Sequence, residues 1–300
     1  MLERVDLGVF PQWILIRGAH RSAPVLLFLH GGPGMPAMYL AHAFSRELES
    51  RFVVAHWDRL GAGKSFAPGI PPAAMSVERE ISDARELCER LRERLGARKI
   101  YLVGHSYGSY LGTLLVRRHP DLFAAYVGVG QVTDPSRERE AQDRFLRKKA
   151  AETGNRELAA EIDRGTVDRE RWLFEFGGEL HAHRSFWPLV WTGLRAPEYR
   201  LVDVANVRRG VAFTHRHMIY DAIAGSLDRE VRSLDVPVYF FLGRFDRTAP
   251  SELSAEFLAR LQAPFKKLVW FERSAHFPFL EEPSKFAAEM ARVREETENR

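Results

Sequence analysis

Gly104-His105-Ser106-Tyr107-Gly108 lies directly between two apolar runs, Lys99-Ile100-Tyr101-Leu102-Val103 before it and Ser109-Tyr110-Leu111-Gly112-Thr113-Leu114-Leu115 after it. A G-x-S-x-G segment that joins a buried strand to a helix forces its serine onto a tight, strained turn. The hydroxyl is then exposed at the C-terminal edge of a sheet, in the arrangement called a nucleophile elbow. The flanking residues must be small because the strand and helix backbones approach closely around the bend. This one segment therefore restricts the chain to folds in which a strand turns sharply into a helix.

A second glycine-rich turn, His30-Gly31-Gly32-Pro33-Gly34, ends the apolar strand Val25-Leu26-Leu27-Phe28-Leu29. Acyl transfer turns a carbonyl oxygen into an oxyanion, which needs backbone N–H groups already pointing at it. The expected donors are the N–H after the nucleophile, Tyr107, and one from this earlier loop, Gly32, with Gly31 as the alternative. The serine's partners should follow as an acid and then a histidine. Val236-Pro237-Val238-Tyr239-Phe240-Phe241-Leu242 has the continuous apolar character of a strand covered on both faces, and Gly243-Arg244-Phe245-Asp246 follows it. The next strand, Lys267-Leu268-Val269-Trp270-Phe271, leads into Ser274-Ala275-His276. Ser106, Asp246 and His276 are thus the expected triad, each at a C-terminal strand end, where ligands gather in open α/β sheets. Asp221 competes for the acid's role but falls in an expected helix, and Asp235 competes but precedes its strand.

Strands near Trp13–Arg17, Val25–Leu29, Phe52–Trp57, Lys99–Val103, Ala125–Val129, Val238–Leu242 and Lys267–Phe271 alternate with helical segments. That alternation predicts a mostly parallel sheet with helices on both faces. The rhythm stops between residues 131 and 234, where charged helical patterns take over (Arg137–Thr153, Arg156–Arg164, Arg169–Phe176). The expected division is a core of residues 1–130 and 235–300 with a helical cap of residues 131–234. The stripe Val77, Ile81, Ala84, Leu87, Cys88, Leu91, Leu95 predicts a helix capped by Ser76 and ended by Gly96. Gly63-Lys64-Ser65 does not open a phosphate-binding loop, because Asp58 stands where the pattern needs glycine and prolines follow.

His30 to Gly34, the segment Asp58-Arg59-Leu60-Gly61-Ala62-Gly63-Lys64-Ser65 and the elbow together resemble the proline iminopeptidase branch of the α/β-hydrolase superfamily, over Val25 to Gln131 and from Pro237 to the C-terminal helix. The resemblance implies an α/β-hydrolase fold and a serine hydrolase that works through an acyl-enzyme, without metal or organic cofactor. It further implies that the cap supplies carboxylates for a substrate's free ammonium group. Glu175, Glu179 and Glu198 are the candidates, Glu175 and Glu179 being favoured, with Trp187 among the aromatic residues that could line the pocket. The elbow has His105 and Tyr107 where the family usually has glycine and tryptophan, and the cap lacks the family's W-x-x-W-E segment. A carboxylesterase or lactonase acting on small apolar esters is therefore the alternative, and a non-catalytic small-ligand receptor is the rival from another class.

The formal net charge of +4 is small for 300 residues, and acids and bases interleave, as in Arg137-Glu138-Arg139-Glu140. Nucleic acid is not expected as a partner. No apolar run approaches the ~20 residues needed to span a bilayer, so no membrane partner is expected either. The expected substrate is a small molecule or short peptide. Met1 to Asp6 lack a basic region followed by an apolar core, and a single cysteine, Cys88, excludes an intrachain disulfide. Both suit the cytoplasm. The oligomeric state is left open.

Overall fold

In the computed structural model, which describes residues 1–218 and 225–299, eight strands form one sheet in the order β1-β2-β4-β3-β5-β6-β7-β8. The strands are β1 Leu2–Leu7, β2 Phe10–Arg17, β3 Val25–Leu29, β4 Val53–Asp58, β5 Ile100–His105, β6 Phe123–Val129, β7 Val238–Gly243 and β8 Lys266–Phe271. The β1–β2 and β2–β4 pairs are antiparallel, and every other pair is parallel. All seven expected strands are present, with ends shifted by a few residues. The addition is β1, where Glu3, Arg4 and Asp6 interrupt the apolar pattern of an edge strand that hairpins onto β2 through Gly8.

The parallel strands carry apolar residues at every position because both faces are covered. β3 shows the division: Leu27 and Leu29 point into one core cluster, and Leu26 and Phe28 into the other. The first cluster is closed by α1 (Val77–Leu95), α2 (Tyr107–Arg118) and the later α8 (Ser251–Arg260). The second is closed by Phe44, Leu48 and the C-terminal helix Pro283–Glu298, here α9. The Ser76 hydroxyl caps α1 by accepting the Arg79 N–H at 3.2 Å, and Gly96 at φ 66° ends it, as the sequence predicts.

Between β6 and β7 the described residues form helices: α3 Pro135–Thr153, α4 Arg156–Asp163, α5 Arg169–Glu175, α6 Trp187–Leu194, α7 Leu201–His217 and a short turn at Leu227–Glu230. Leu146, Leu158, Ile162, Trp172 and Leu173 make a small core that belongs to this segment alone. Its two ends join the sheet instead: Val132, Leu227, Val231 and Leu234 lie in the first core cluster. No helix among the described residues is long and apolar enough to cross a membrane.

Candidate active site

Ser106 has φ 54° and ψ −125°, a region that non-glycine residues avoid, so the elbow is strained as its motif requires. What holds it is contact on both sides. The Ser106 N–H donates to the Val129 carbonyl at 2.9 Å, and its own carbonyl accepts from the Ser109 N–H at 2.7 Å. Gly108 has no alternative at its position, because a Cβ would stand 2.3 Å from the Leu29 carbonyl oxygen.

Asp246 and His276 come from the loops after β7 and β8, and both are buried. Asp246 Oδ1 accepts the N–H groups of Thr248 and Ala249, each at 2.9 Å. That fixes Oδ2 toward His276, whose Nδ1 lies 2.8 Å away. With Nδ1 held by the carboxylate, Nε2 is the ring nitrogen left to exchange a proton. Gly130, at φ 51°, packs against this pair, and a Cβ there would be 2.7 Å from His276 Nδ1. Asp235 is exposed ahead of β7, and Asp221 lies outside the described residues.

Ser106, His276, Gly31, Gly32 and Glu179 line one cavity of about 270 Å³, whose remaining wall includes Met35, Leu40, Leu173, Phe174 and Leu189. Tyr107 begins α2 immediately after Ser106, where helix N–H groups and the positive end of the dipole face outward. The loop carrying Gly31 and Gly32 is tied down by Arg59, whose guanidinium donates to the His30 carbonyl at 2.8 Å and the Gly31 carbonyl at 3.0 Å. His105 also lines the cavity, with Nε2 2.9 Å from the His276 carbonyl oxygen, and burial holds its ring well below its ordinary pKa, with His276 adding to the effect.

The three candidate cap residues separate. Glu179 enters the cavity because the chain around it is stitched to the loops that carry Asp246 and His276. Its carbonyl accepts the His276 N–H at 3.0 Å, the Gly178 carbonyl accepts the Arg247 N–H at 2.9 Å, and its carboxylate accepts the Thr248 hydroxyl. Burial pushes the Glu179 carboxyl up to about 7, with His276 and Thr248 opposing that rise. Glu175 does not reach the cavity: it ends α5, is exposed, and lines a separate surface depression with Arg171 and Arg184. Trp187 does not reach it either, being 65% exposed on the outer face of α6. Glu198 pairs with Arg17 at 2.8 Å, away from the cavity. Glu170, not among the candidates that the resemblance implies, also lines the cavity and faces Glu179. Its position at the start of a charged helix gave no signal.

His276 sits among carboxylates. Burial favours its neutral form, but Asp246, then Glu179 and Glu138, reverse that and push it up to about 9. Lys64, from the segment that superficially resembles a phosphate loop, is directed inward. It reaches Asp203 at 2.6 Å and stands over the Trp13 ring at 4.8 Å.

A family model described as the alpha/beta hydrolase fold matches residues 24–283. The chain is 31% identical over 304 aligned residues to a Bacillus subtilis (strain 168) protein named "Probable aminopeptidase YbaC", covering 97% of this chain and 95% of that protein. It is 25% identical over 275 residues to a proline iminopeptidase of Heyndrickxia coagulans, covering 89% and 88%. Among solved structures, proline iminopeptidase of Mycobacterium smegmatis superposes with a TM-score of 0.75 over 99% of this chain and 98% of that one, and at 18% identity this likeness concerns the fold.

Proposed function

The chain belongs to the α/β-hydrolase family, and from that premise we propose that it is a serine hydrolase of proline iminopeptidase type, releasing an N-terminal residue from a short peptide or related amide. In this reading residues 1–130 and 235–300 are the hydrolase core, and residues 131–234 are a cap that supplies the substrate's surroundings. Ser106 Oγ attacks the scissile carbonyl while His276 Nε2 takes its proton, and Asp246 holds the tautomer and stabilises the imidazolium. The oxyanion is received by the N–H groups of Gly32 and Tyr107. The imidazolium then protonates the leaving amine, the C–N bond breaks, and an ester to Ser106 remains. His276 next deprotonates a water molecule, whose attack frees the acid and restores Ser106.

The observation that carries the peptidase reading is Glu179, a half-buried carboxylate facing the same cavity as Ser106, with no lysine or arginine ion-paired to it among the described residues. A partly desolvated carboxyl of raised pKa is stabilised when a cation reaches it, and a substrate ammonium would be such a cation. Glu170 on the facing wall adds a second negative group. The largely apolar remainder of the cavity supports the second reading, a carboxylesterase or lactonase. The cytoplasm is the compartment this reading favours, since the one cysteine, Cys88, is buried as a free thiol.

Aminoacyl arylamides, their N-acetyl derivatives and short-chain aryl esters, assayed on one preparation, separate the two. N-acetylation should cost at least ~2 kcal/mol in kcat/KM, the scale for leaving a buried charge unpaired. Glu179→Gln should weaken cleavage of the free arylamide and spare the neutral ester. Equal cleavage of free and blocked amides, with esters turned over far faster than both, would overturn the peptidase reading in favour of the esterase.

A further inference from the structure

The net positive charge of this chain is concentrated in one stretch of the cap. Residues 181–217 hold six arginines (184, 195, 200, 208, 209 and 216) against two carboxylates, Glu198 and Asp203, an excess equal to the formal net charge of +4 for the whole chain. Both carboxylates are turned inward, Glu198 to Arg17 at 2.8 Å and Asp203 to Lys64 at 2.6 Å. The six arginines are all exposed, and none has an ion pair among the described residues. Elsewhere on the surface some arginines are neutralised locally, as in Arg85–Glu89, Arg118–Glu78 and Arg244–Glu272. Others, such as Arg4, Arg98 and Arg117, are exposed without an ion pair among the described residues, but over the rest of the chain acids and bases balance in number.

The same stretch concentrates exposed apolar surface. Of the eight large hydrophobic residues exposed among the described residues, five fall here: Trp187, Trp191, Leu194, Leu201 and Val202. Trp187, Trp191 and Leu194 are spaced i, i+4, i+7 and so share one face of α6, while Leu189 and Gly193 pack inward. The Arg195 guanidinium stands 5.5 Å over the Trp191 ring. Leu201, 82% exposed, opens α7 beside them.

Tryptophan rings and leucines flanked by unpaired arginines match the two components of an anionic bilayer surface, an amphipathic headgroup layer and phosphate charge. A second copy of the chain fits poorly, since an isologous contact would set one group of arginines against the other. We propose that the α6–α7 face is an interfacial docking surface that seats the enzyme on an anionic membrane leaflet, with Trp187 and Trp191 in the headgroup layer and the arginines against lipid phosphates. This departs from the expectation of no membrane partner, which rested on spanning segments and on charge interleaving that holds along α3 but fails here. An apolar cavity of about 480 Å³ lies beneath the same two helices and shares Met35, Tyr39, Phe186 and Val211 with the cavity of Ser106. The docked face is thus also a wall of the active-site region.

The test is sedimentation of the full chain with phosphatidylcholine vesicles, with and without phosphatidylglycerol, at low and high sodium chloride, alongside tryptophan emission. The chain should sediment with the anionic vesicles only, release at high salt, and shift its emission to the blue on binding. Trp191→Ser/Leu194→Ser and Arg195→Glu/Arg209→Glu should each lower partitioning by roughly tenfold or more while circular dichroism and ester turnover without vesicles stay unchanged. Absence of sedimentation with anionic vesicles at low salt would overturn the proposal, as would binding that both variants leave intact. So would self-association abolished by the same substitutions in a chain that ignores lipid. None of these outcomes depends on the substrate class assigned above.

Discussion

Arg59 Nε stands 3.1 Å from Glu80 Oε1, both side chains buried, in an ion pair between the loop after β4 and helix α1. The guanidinium also holds the His30 and Gly31 carbonyls, and Glu80 Oε2 accepts the Tyr107 hydroxyl at 2.8 Å. One charge pair thus anchors both proposed oxyanion donors, Gly32 through its loop and Tyr107 through its side chain. Removing one partner of such a pair leaves an uncompensated buried charge, at a cost of about 3–5 kcal/mol. Glu80→Gln should lower the melting temperature sharply. Tyr107→Phe loses only the hydroxyl and should stay folded, while kcat falls and KM is little changed. A KM effect without a kcat effect would show that the clamp does not position the oxyanion donors.

Ser106→Ala should lower kcat by roughly 10⁴-fold or more and abolish labelling by a fluorophosphonate. Labelling that persists in this variant would assign the nucleophile elsewhere.

Asp246→Asn should fold normally and lose on the order of 10⁴-fold in kcat, because the amide favours the wrong imidazole tautomer. Asp235→Asn, exposed ahead of β7, should change turnover little. A large loss at Asp235 would reassign the acid.

Gly130→Ala places a methyl group 2.7 Å from His276 Nδ1 on a backbone at φ 51°. The strain should cost about 1–2 kcal/mol of stability, whereas displacement of the imidazole should reduce kcat far more than that loss of stability would. Normal turnover would mean that His276 tolerates the shift, or is not the base.

The pH profile reports the carboxylates around His276. A general base must be neutral to accept the proton, and His276 is pushed up to about 9 by Asp246 and Glu179 against the effect of burial. For a neutral aryl ester, kcat/KM should therefore rise with pH and level off above about 9. Glu179→Gln removes one anion that favours the imidazolium, so His276 should deprotonate at lower pH and the rising limb should move down. A limb that stays in place would separate Glu179 from the base.

The sequence by itself determined seven of the eight strands, the two sharp turns beside Ser106, and the placing of Ser106, Asp246 and His276 after C-terminal strand ends. These follow from local rules: apolar runs for strands buried on both faces, helical spacing from Val77 to Leu95, and small residues where backbones must meet. Tertiary structure decided which charges face the cavity. Glu175 and Glu179 are four residues apart and would share one helix face, but α5 ends at Glu175 and Gly177 turns at φ 72°. From there Glu179 is drawn in by Thr248 and His276 while Glu175 stays in water. Glu80 and Asp83 are buried in a helix whose sequence marks only its apolar stripe, because Arg59 from the loop after β4 and Gln12 from β2 are brought to them by the sheet, the helix itself adding only Arg79, one turn before Asp83. Trp187 points outward for the complementary reason: the inner face of α6 is already filled by Leu189 and Gly193. Spacing along the chain reports which residues share a face, whereas burial of a charge depends on a partner that spacing does not contain.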